Sequence, residues 1–256
     1  MGTVNLDIQG HIAHVVFNRP ASRNAMTWTM YQQLHQICQD IQNQAHLKVV
    51  VFRGAGGQAF VAGTDIEQFL AFESGDDGVA YEEKIDAYIQ AVASIEIPTI
   101  AVIEGWAIGG GLAIATACDF RIASTGAQLG VPIAKTLGNC LSVSNLSRLC
   151  TAFGHQRVKR MLLLAELIGA EEALNCGYLH DVVSADQLTE RLSALVAQLS
   201  HLAPVTQRVS KAGLGRLAQA QALDDADLIR QAYGSHDFAE GVQAFVAKRK
   251  PQWKGC

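Results

Sequence analysis

EGWAIGGGLAIATACDF, residues 104–120, decides how the rest of the chain is read. From Gly105 to Cys118 it carries no charge, and three consecutive glycines, 109–111, sit at its centre. The run before it, TIAVIE (99–104), has the β-branched character of a strand. The Ala/Ile/Leu-rich run after it predicts a helix from about Gly110. A glycine loop between strand and helix lets a ligand approach the backbone, and the first N–H groups of a helix have no intrahelical acceptor. With the positive end of the helix dipole, those donors suit an oxyanion. The same glycines also allow a helix to pack tightly on a sheet, and this stretch alone leaves both readings open.

Outward from there, the first two-thirds of the chain alternate strand and helix. HIAHVVF (11–17) and LKVVVFRG (47–54) read as strands, the second a compact β-branched run of the buried kind. Between them, Met30, Leu34, Ile37 and Ile41 recur at helical spacing over 27–42, with Thr27 placed to cap. A polar segment at 73–78 precedes a helix near 79–96. Strand 99–104 follows with Pro98 at its tolerated first position, then the glycine loop, its helix and FRIAS (120–124) as a strand. From Asn145 onward the pattern is mostly helical. This predicts an α/β core over 1–195 and a helical C-terminal region over 196–256.

The 256 residues are 49% hydrophobic and 17% charged, so a sizeable core is expected. A net charge of −4, with no basic run longer than KRK near the C-terminus, argues against nucleic acid or an acidic membrane as partner. Cys38, Cys118, Cys140, Cys150, Cys176 and Cys256 are scattered without metal-ligand spacing. They read as reduced thiols in a cytoplasmic protein, with no metal centre. The polar N-terminus lacks the order of a signal peptide, and the apolar stretch 97–118 is broken by Pro98, Glu104 and glycines, so no membrane span is expected. GAGGQA (54–59) fits the loose dinucleotide pattern GxGxxA, but FVAG follows where a helix is required, so a turn before an extended segment is expected instead.

Taken together, FNRPASRNAM (17–26), FVAGTDI (60–66), IPTIAVIEGWAIGGGLAIATACDFRIAS (97–124), GVPIAKTLG (130–138), GAEEALNCGYLHDVV (169–183) and the closing EGVQAFVAKRKPQW resemble, in order, the signature blocks of the crotonase, or enoyl-CoA hydratase/isomerase, superfamily. The resemblance covers nearly the whole chain. It implies a crotonase-like core of repeated ββα units, a C-terminal trimerisation region, trimers or dimers of trimers, and an acyl-CoA thioester substrate without a permanently bound cofactor. It places an oxyanion hole at the backbone N–H groups of Thr64 and Gly110, which would hold the thioester carbonyl as it gains enolate character. Removing one such donor typically costs about 10²–10³ in rate. For coenzyme A it implies Arg23, Ala25, Ala62 and Gly63 near the nucleotide or pantetheine, with Phe245 and Lys248 contacting coenzyme A from a neighbouring subunit.

The two glutamates of the family's hydratases fall at Ala113 and Ile133 here, and neither side chain transfers a proton. Hydration needs a base to activate water and an acid at carbon, so the standard hydratase mechanism is missing. Isomerases that keep only the second glutamate are excluded by Ile133. Dehalogenase-like members draw a carboxylate from just after the LG of 137–138, where this chain has Asn139, Cys140, Ser142, Ser144 and Asn145. Ser142 lies nearest that position, with helix capping or core packing as the other reading for it and for Cys140. Of Glu82, Glu83 and Asp86, the expectation is that Glu83 or Asp86 approaches the acyl group, a solvated face being the alternative. Glu104 ends its strand at the rim of the glycine loop. Three functions remain: an enolate-stabilising isomerase, decarboxylase, C–C lyase or thioesterase; a degenerate acyl-CoA-binding protein; or a hydratase with substitute acid and base.

Overall fold

The computed structural model describes residues 2–219 and 226–254. The chain opens on a hairpin of β1 (Thr3–Gln9) and β2 (Ile12–Asn18), paired antiparallel from Thr3–Asn18 to Gln9–Ile12. Helix α1 (Trp28–Gln42) follows, and the Thr27 hydroxyl caps it by accepting from the Met30 amide at 3.2 Å. Three successive pieces then each place one strand in each of two sheets before a helix. They are β3 (Val49–Gly54), β4 (Ala59–Ala62) and α2 (Gly75–Ala93); β5 (Thr99–Ile103), β6 (Trp106–Ile108) and α3 (Gly110–Ala117); and β7 (Phe120–Ser124), β8 (Gln128–Gly130) and the short α4 (Ile133–Thr136). This is the repeated ββα architecture that the resemblance implies. Helices α5 (Val143–Phe153) and α6 (His155–Leu163), β9 (Ile168–Gly169), α7 (Ala170–Asn175) and β10 (Asp181–Val183) close the sheets. Helices α8 (Leu188–Ser200), α9 (Pro204–Gln219), α10 (Ala226–Tyr233) and α11 (His236–Val246) follow.

The larger sheet runs β1-β2-β3-β5-β7-β10 and the smaller β4-β6-β8-β9. All pairings are parallel except β1–β2 and β8–β9. The uninterrupted apolar runs of β3 and β5 have a direct cause, since both strands are covered on both faces. Val50, Phe52, Ala101 and Ile103 face the main core with α1–α3, while Val49, Val51, Ile100 and Val102 face Leu188, Leu195, Val196 and Leu199 of α8. The expected boundary between residues 195 and 196 falls inside α8.

Residues 54–59 form a turn into the extended β4, with no helix at the glycines, as expected. The strands of the smaller sheet had no counterpart in the sequence reading beyond that extended segment. Two to four residues are too few for an alternation to register. Helix α10 folds back over α2. A Cβ on Gly75 would lie 2.4 Å from the Arg230 carbonyl oxygen and one on Gly78 would lie 2.2 Å from the Tyr233 ring, so α10 seats directly on the glycines of α2. Arg230 pairs with Asp76 across this contact. Among the described residues no helix is long and apolar enough to cross a membrane.

Candidate active site

The glycine triplet serves three separate purposes. Gly109 has φ +53°, a conformation that lets the chain turn from β6 into α3, and its amide donates to the Gly130 carbonyl at 3.0 Å. At Gly110, a Cβ would stand 2.5 Å from the Tyr31 hydroxyl and 3.4 Å from Thr64 Oγ1. At Gly111, a Cβ would be driven to 2.0 Å from the Val61 carbonyl oxygen in β4. Tight helix-on-sheet packing and an exposed helix start are both present, on different glycines. Gly110 is the first residue of α3, so its N–H has no intrahelical acceptor.

Thr64 lies in the neighbouring loop. The Met26 amide donates to the Gly63 carbonyl at 2.9 Å and the Met26 carbonyl accepts from the Asp65 amide at 2.8 Å, making a parallel bridge centred on Thr64. In such a bridge the central residue's own N–H and C=O point away from the partner. The Thr64 amide therefore faces away from Met26. Strands β4 and β6 pair with Ala62 opposite Ile108, and a Cβ on Gly109 would come within 3.8 Å of Gly63 Cα. The two expected oxyanion donors thus follow the C-terminal ends of adjacent parallel strands, where α/β sheets receive their ligands.

Behind them the Thr64 hydroxyl contacts the Tyr31 hydroxyl at 2.9 Å and the Tyr81 hydroxyl at 3.0 Å. Both rings are buried, and desolvation is the main reason that both phenols are held well above their ordinary pKa. Tyr81 stands in a cluster of rings with Trp28, Phe69, Phe72 and Tyr233, at centroid separations of 4.9–6.0 Å. Ala113 is 7% exposed and Ile133 packs partly buried against the same core.

The acidic candidates separate by helix phase. Glu83 is exposed on α2. Glu82 is the carboxylate that turns inward, at 2% exposure, accepting from the Ser142 amide at 3.0 Å and from the Tyr233 hydroxyl. The signal was present in the sequence. Gly78, Glu82, Ile85, Ile89 and Val92 are all buried on one stripe of α2, and Glu82 is its sole charged member. Asp86, a turn further on, accepts from Ser142 Oγ and Asn145 Nδ2, both at 2.8 Å. Ser142 caps α5, its Oγ accepting from the Asn145 amide at 3.2 Å, so the capping reading accounts for it. Asn139 donates to the Tyr233 hydroxyl at 3.2 Å, while its buried Oδ1 has no partner among the described residues. Glu104 accepts from Arg53 Nε and Nη2, each at 2.8 Å, and β6 separates it from Gly110. That ion pair gives its strand-end position a structural cause.

Residues 19–26 are stitched to β4. The Ala62 amide donates to the Arg23 carbonyl at 3.0 Å, and the buried Asn24 amide group donates to the Ala55 and Ala59 carbonyls. Arg23 and Asn24 both have positive φ, +50° and +58°, which is uncommon outside glycine and holds the loop in one shape. Arg23, Ala25, Ala62 and Gly63 are thereby brought together, with the exposed Arg23 guanidinium over the Trp106 ring at 5.7 Å. Phe245, 52% exposed, and Lys248 stand on the surface at the end of α11. Cys256 lies outside the described residues. Among those described, no three His, Cys, Asp or Glu side chains gather as metal ligands.

Two layered sheets joined through ββα units, with paired amides beside a glycine-opened helix, define a protein of the crotonase superfamily. A family model described as Enoyl-CoA hydratase/isomerase matches residues 7–256, and the chain belongs to that family. It is 29% identical over 255 residues to the short-chain-enoyl-CoA hydratase of Clostridium acetobutylicum, spanning 98% of this chain and 97% of that protein. The crystal structure of an enoyl-CoA hydratase/carnithine racemase from Magnetospirillum magneticum is 31% identical, with a TM-score of 0.81 over 100% of this chain and 97% of that one. Methylmalonyl-CoA decarboxylase in complex with 2-nitronate-propionyl-CoA is 25% identical, with a TM-score of 0.90 over 99% of both chains.

Proposed function

We propose that this protein forms and stabilises the enolate of an acyl-CoA thioester by breaking a carbon–carbon bond, with decarboxylation of a malonyl-type thioester as the reaction. The observation that supports this reading is that Thr64 and Gly110 follow the ends of the adjacent strands β4 and β6, together with Ala113 and Ile133 at the positions that the resemblance assigns to the glutamates of the family's hydratases. Decarboxylation needs no base to create the enolate. The bond from the α carbon to the carboxylate breaks, its electron pair moves onto the thioester oxygen, carbon dioxide leaves, and the α carbon then takes a proton. The amides of Thr64 and Gly110 are the donors for that oxygen, acting where charge develops. The likeness to a decarboxylase holding a nitronate acyl-CoA supports the same choice.

Coenzyme A lies along Arg23, Ala25, Ala62 and Gly63, with Phe245 and Lys248 supplied by a neighbouring copy in a trimer or dimer of trimers. Cationic side chains at those places suit its phosphates. The deciding experiment compares carbon dioxide release from malonyl- and methylmalonyl-CoA with loss of the 2-enoyl absorbance of crotonyl-CoA. Release of carbon dioxide with negligible hydration is expected. Hydration as fast as in a glutamate-bearing relative overturns the reading. The oxyanion assignment is tested by deleting the Gly110 amide with proline, which the first position of a helix accepts. Because a Cβ there would strike the Tyr31 hydroxyl, Tyr31→Phe/Gly110→Pro is measured against Tyr31→Phe alone. A fall of about 10²–10³ in kcat is expected.

A further inference from the structure

Three hydroxyls meet behind the oxyanion loops, and counting their protons gives more than packing does. Tyr31, Thr64 and Tyr81 bring three O–H protons, but the two contacts through Thr64 Oγ1, at 2.9 and 3.0 Å, use only two of them. One proton is surplus. Were Thr64 to donate to either tyrosine, that tyrosine's own proton would need another acceptor. Tyr31 is wholly buried and Tyr81 nearly so, and among the described residues neither hydroxyl has a further partner. An unpaired buried donor is unfavourable. Thr64 is the half-buried member of the three and lies beside Gly110. The arrangement that strands no proton has both tyrosines donating to the two lone pairs of Thr64, leaving the Thr64 proton for a ligand. Burial supports this by keeping both phenols protonated.

We propose that the Thr64 side-chain hydroxyl is a third donor of the oxyanion hole, its lone pairs occupied by Tyr31 and Tyr81 and its proton given to the thioester oxygen beside the two backbone amides. This rests on the enolate-forming reading above. With both lone pairs filled, Thr64 Oγ1 donates without serving as a base, so its effect is on the charge that develops and not on proton removal. Tyr31 and Tyr81 act through it as positioning residues. The missing Cβ of Gly110 is what admits the Tyr31 hydroxyl to this place.

The test uses the full chain and two ligands, malonyl-CoA and a nitronate-bearing acyl-CoA that mimics the enolate. Wild type, Thr64→Val, Thr64→Ser and Tyr31→Phe are compared by calorimetric affinity and by steady-state kinetics. Thr64→Val keeps the shape and loses the proton. It is expected to lower kcat by about 10²-fold with KM within threefold, and to weaken the nitronate by a similar factor. Thr64→Ser is expected to restore both to within fivefold, and Tyr31→Phe to lose less than tenfold because Thr64 keeps its proton. Should Thr64→Val fail to fold, Thr64→Ala asks the same question while requiring no space. A Thr64→Val variant that retains kcat and nitronate affinity overturns the third donor while leaving the enolate reading intact. A loss in Tyr31→Phe equal to that in Thr64→Val also overturns it, because the free proton then belongs to the tyrosine. A wild-type protein that binds neither compound overturns the proposed function and this inference with it.

Discussion

Replacing Gly111 by alanine tests whether the glycine loop is shaped by helix packing as described. The new Cβ would lie 2.0 Å from the Val61 carbonyl oxygen and 2.7 Å from the Val61 carbonyl carbon. These are backbone atoms of β4, which is held by β6 on one side and stitched through Ala62 to the 19–26 loop. No side-chain rotation relieves the contact. Helix α3 must withdraw by about 1.4 Å to bring the oxygen to the 3.4 Å of ordinary contact. Overpacking of this kind costs about 1–3 kcal/mol, and a rigid backbone obstacle places it near 3. For a domain of this size that corresponds to about 6–12 °C in melting temperature. Gly110 moves with the helix, and misplacing a catalytic group by about 1 Å costs on the order of 10²-fold in rate. Urea unfolding by circular dichroism and kcat on the best thioester are the measurements. Gly126→Ala, where nothing lies within 4 Å, is the control and is expected to stay within about 0.5 kcal/mol. A Gly111→Ala protein that matches this control in stability and keeps kcat within threefold would refute the reasoning.

Two further outcomes follow from ion pairs. Glu104→Gln is expected to lower stability by about 1 kcal/mol through loss of the half-exposed Arg53 pair and to leave kcat within threefold. A hundredfold loss of turnover would return Glu104 to the catalytic candidates. Hydrogen bonding from Arg249 and the Gln252 amide holds the Glu240 carboxyl at about 2 instead of its usual 4.5. Since the folded value is depressed, the anchoring of the C-terminal segment is complete above about pH 4.5 and is lost as pH falls towards 2. Fluorescence of Trp253, taken against a Trp253→Phe background, is expected to report release in that window for wild type, and already at neutral pH for Glu240→Gln. A wild-type midpoint near 4.5 would contradict the pairing.

What was legible in the sequence depended on how far each signal extends along the chain. Helix α1 carries four apolar residues in phase and a cap, β3 and β5 are largely buried runs of six and five residues, and β7 spans five, so all were readable. Strands β6, β8 and β9 span three, three and two residues, and they form a sheet only because β4, β6 and β8 return to the same layer. No local pattern encodes that. The paired oxyanion loops came from the resemblance, and the hydroxyl group behind them from packing between α1, the Thr64 loop and α2. Glu82 was available from helical phase, since it occupies the stripe of Ile85 and Ile89 while Glu83 lies off it.

The seating of α10 on Gly75 and Gly78 has a consequence for biosynthesis. Glu82 and Tyr81 are made about 150 residues before the Tyr233 ring that packs against them. A nascent chain can complete both sheets and still expose a carboxylate and an aromatic cluster to water until α10 arrives. The interior of the candidate site is therefore sealed only after both sheets can form, and a chain cut short before residue 226 would leave it open.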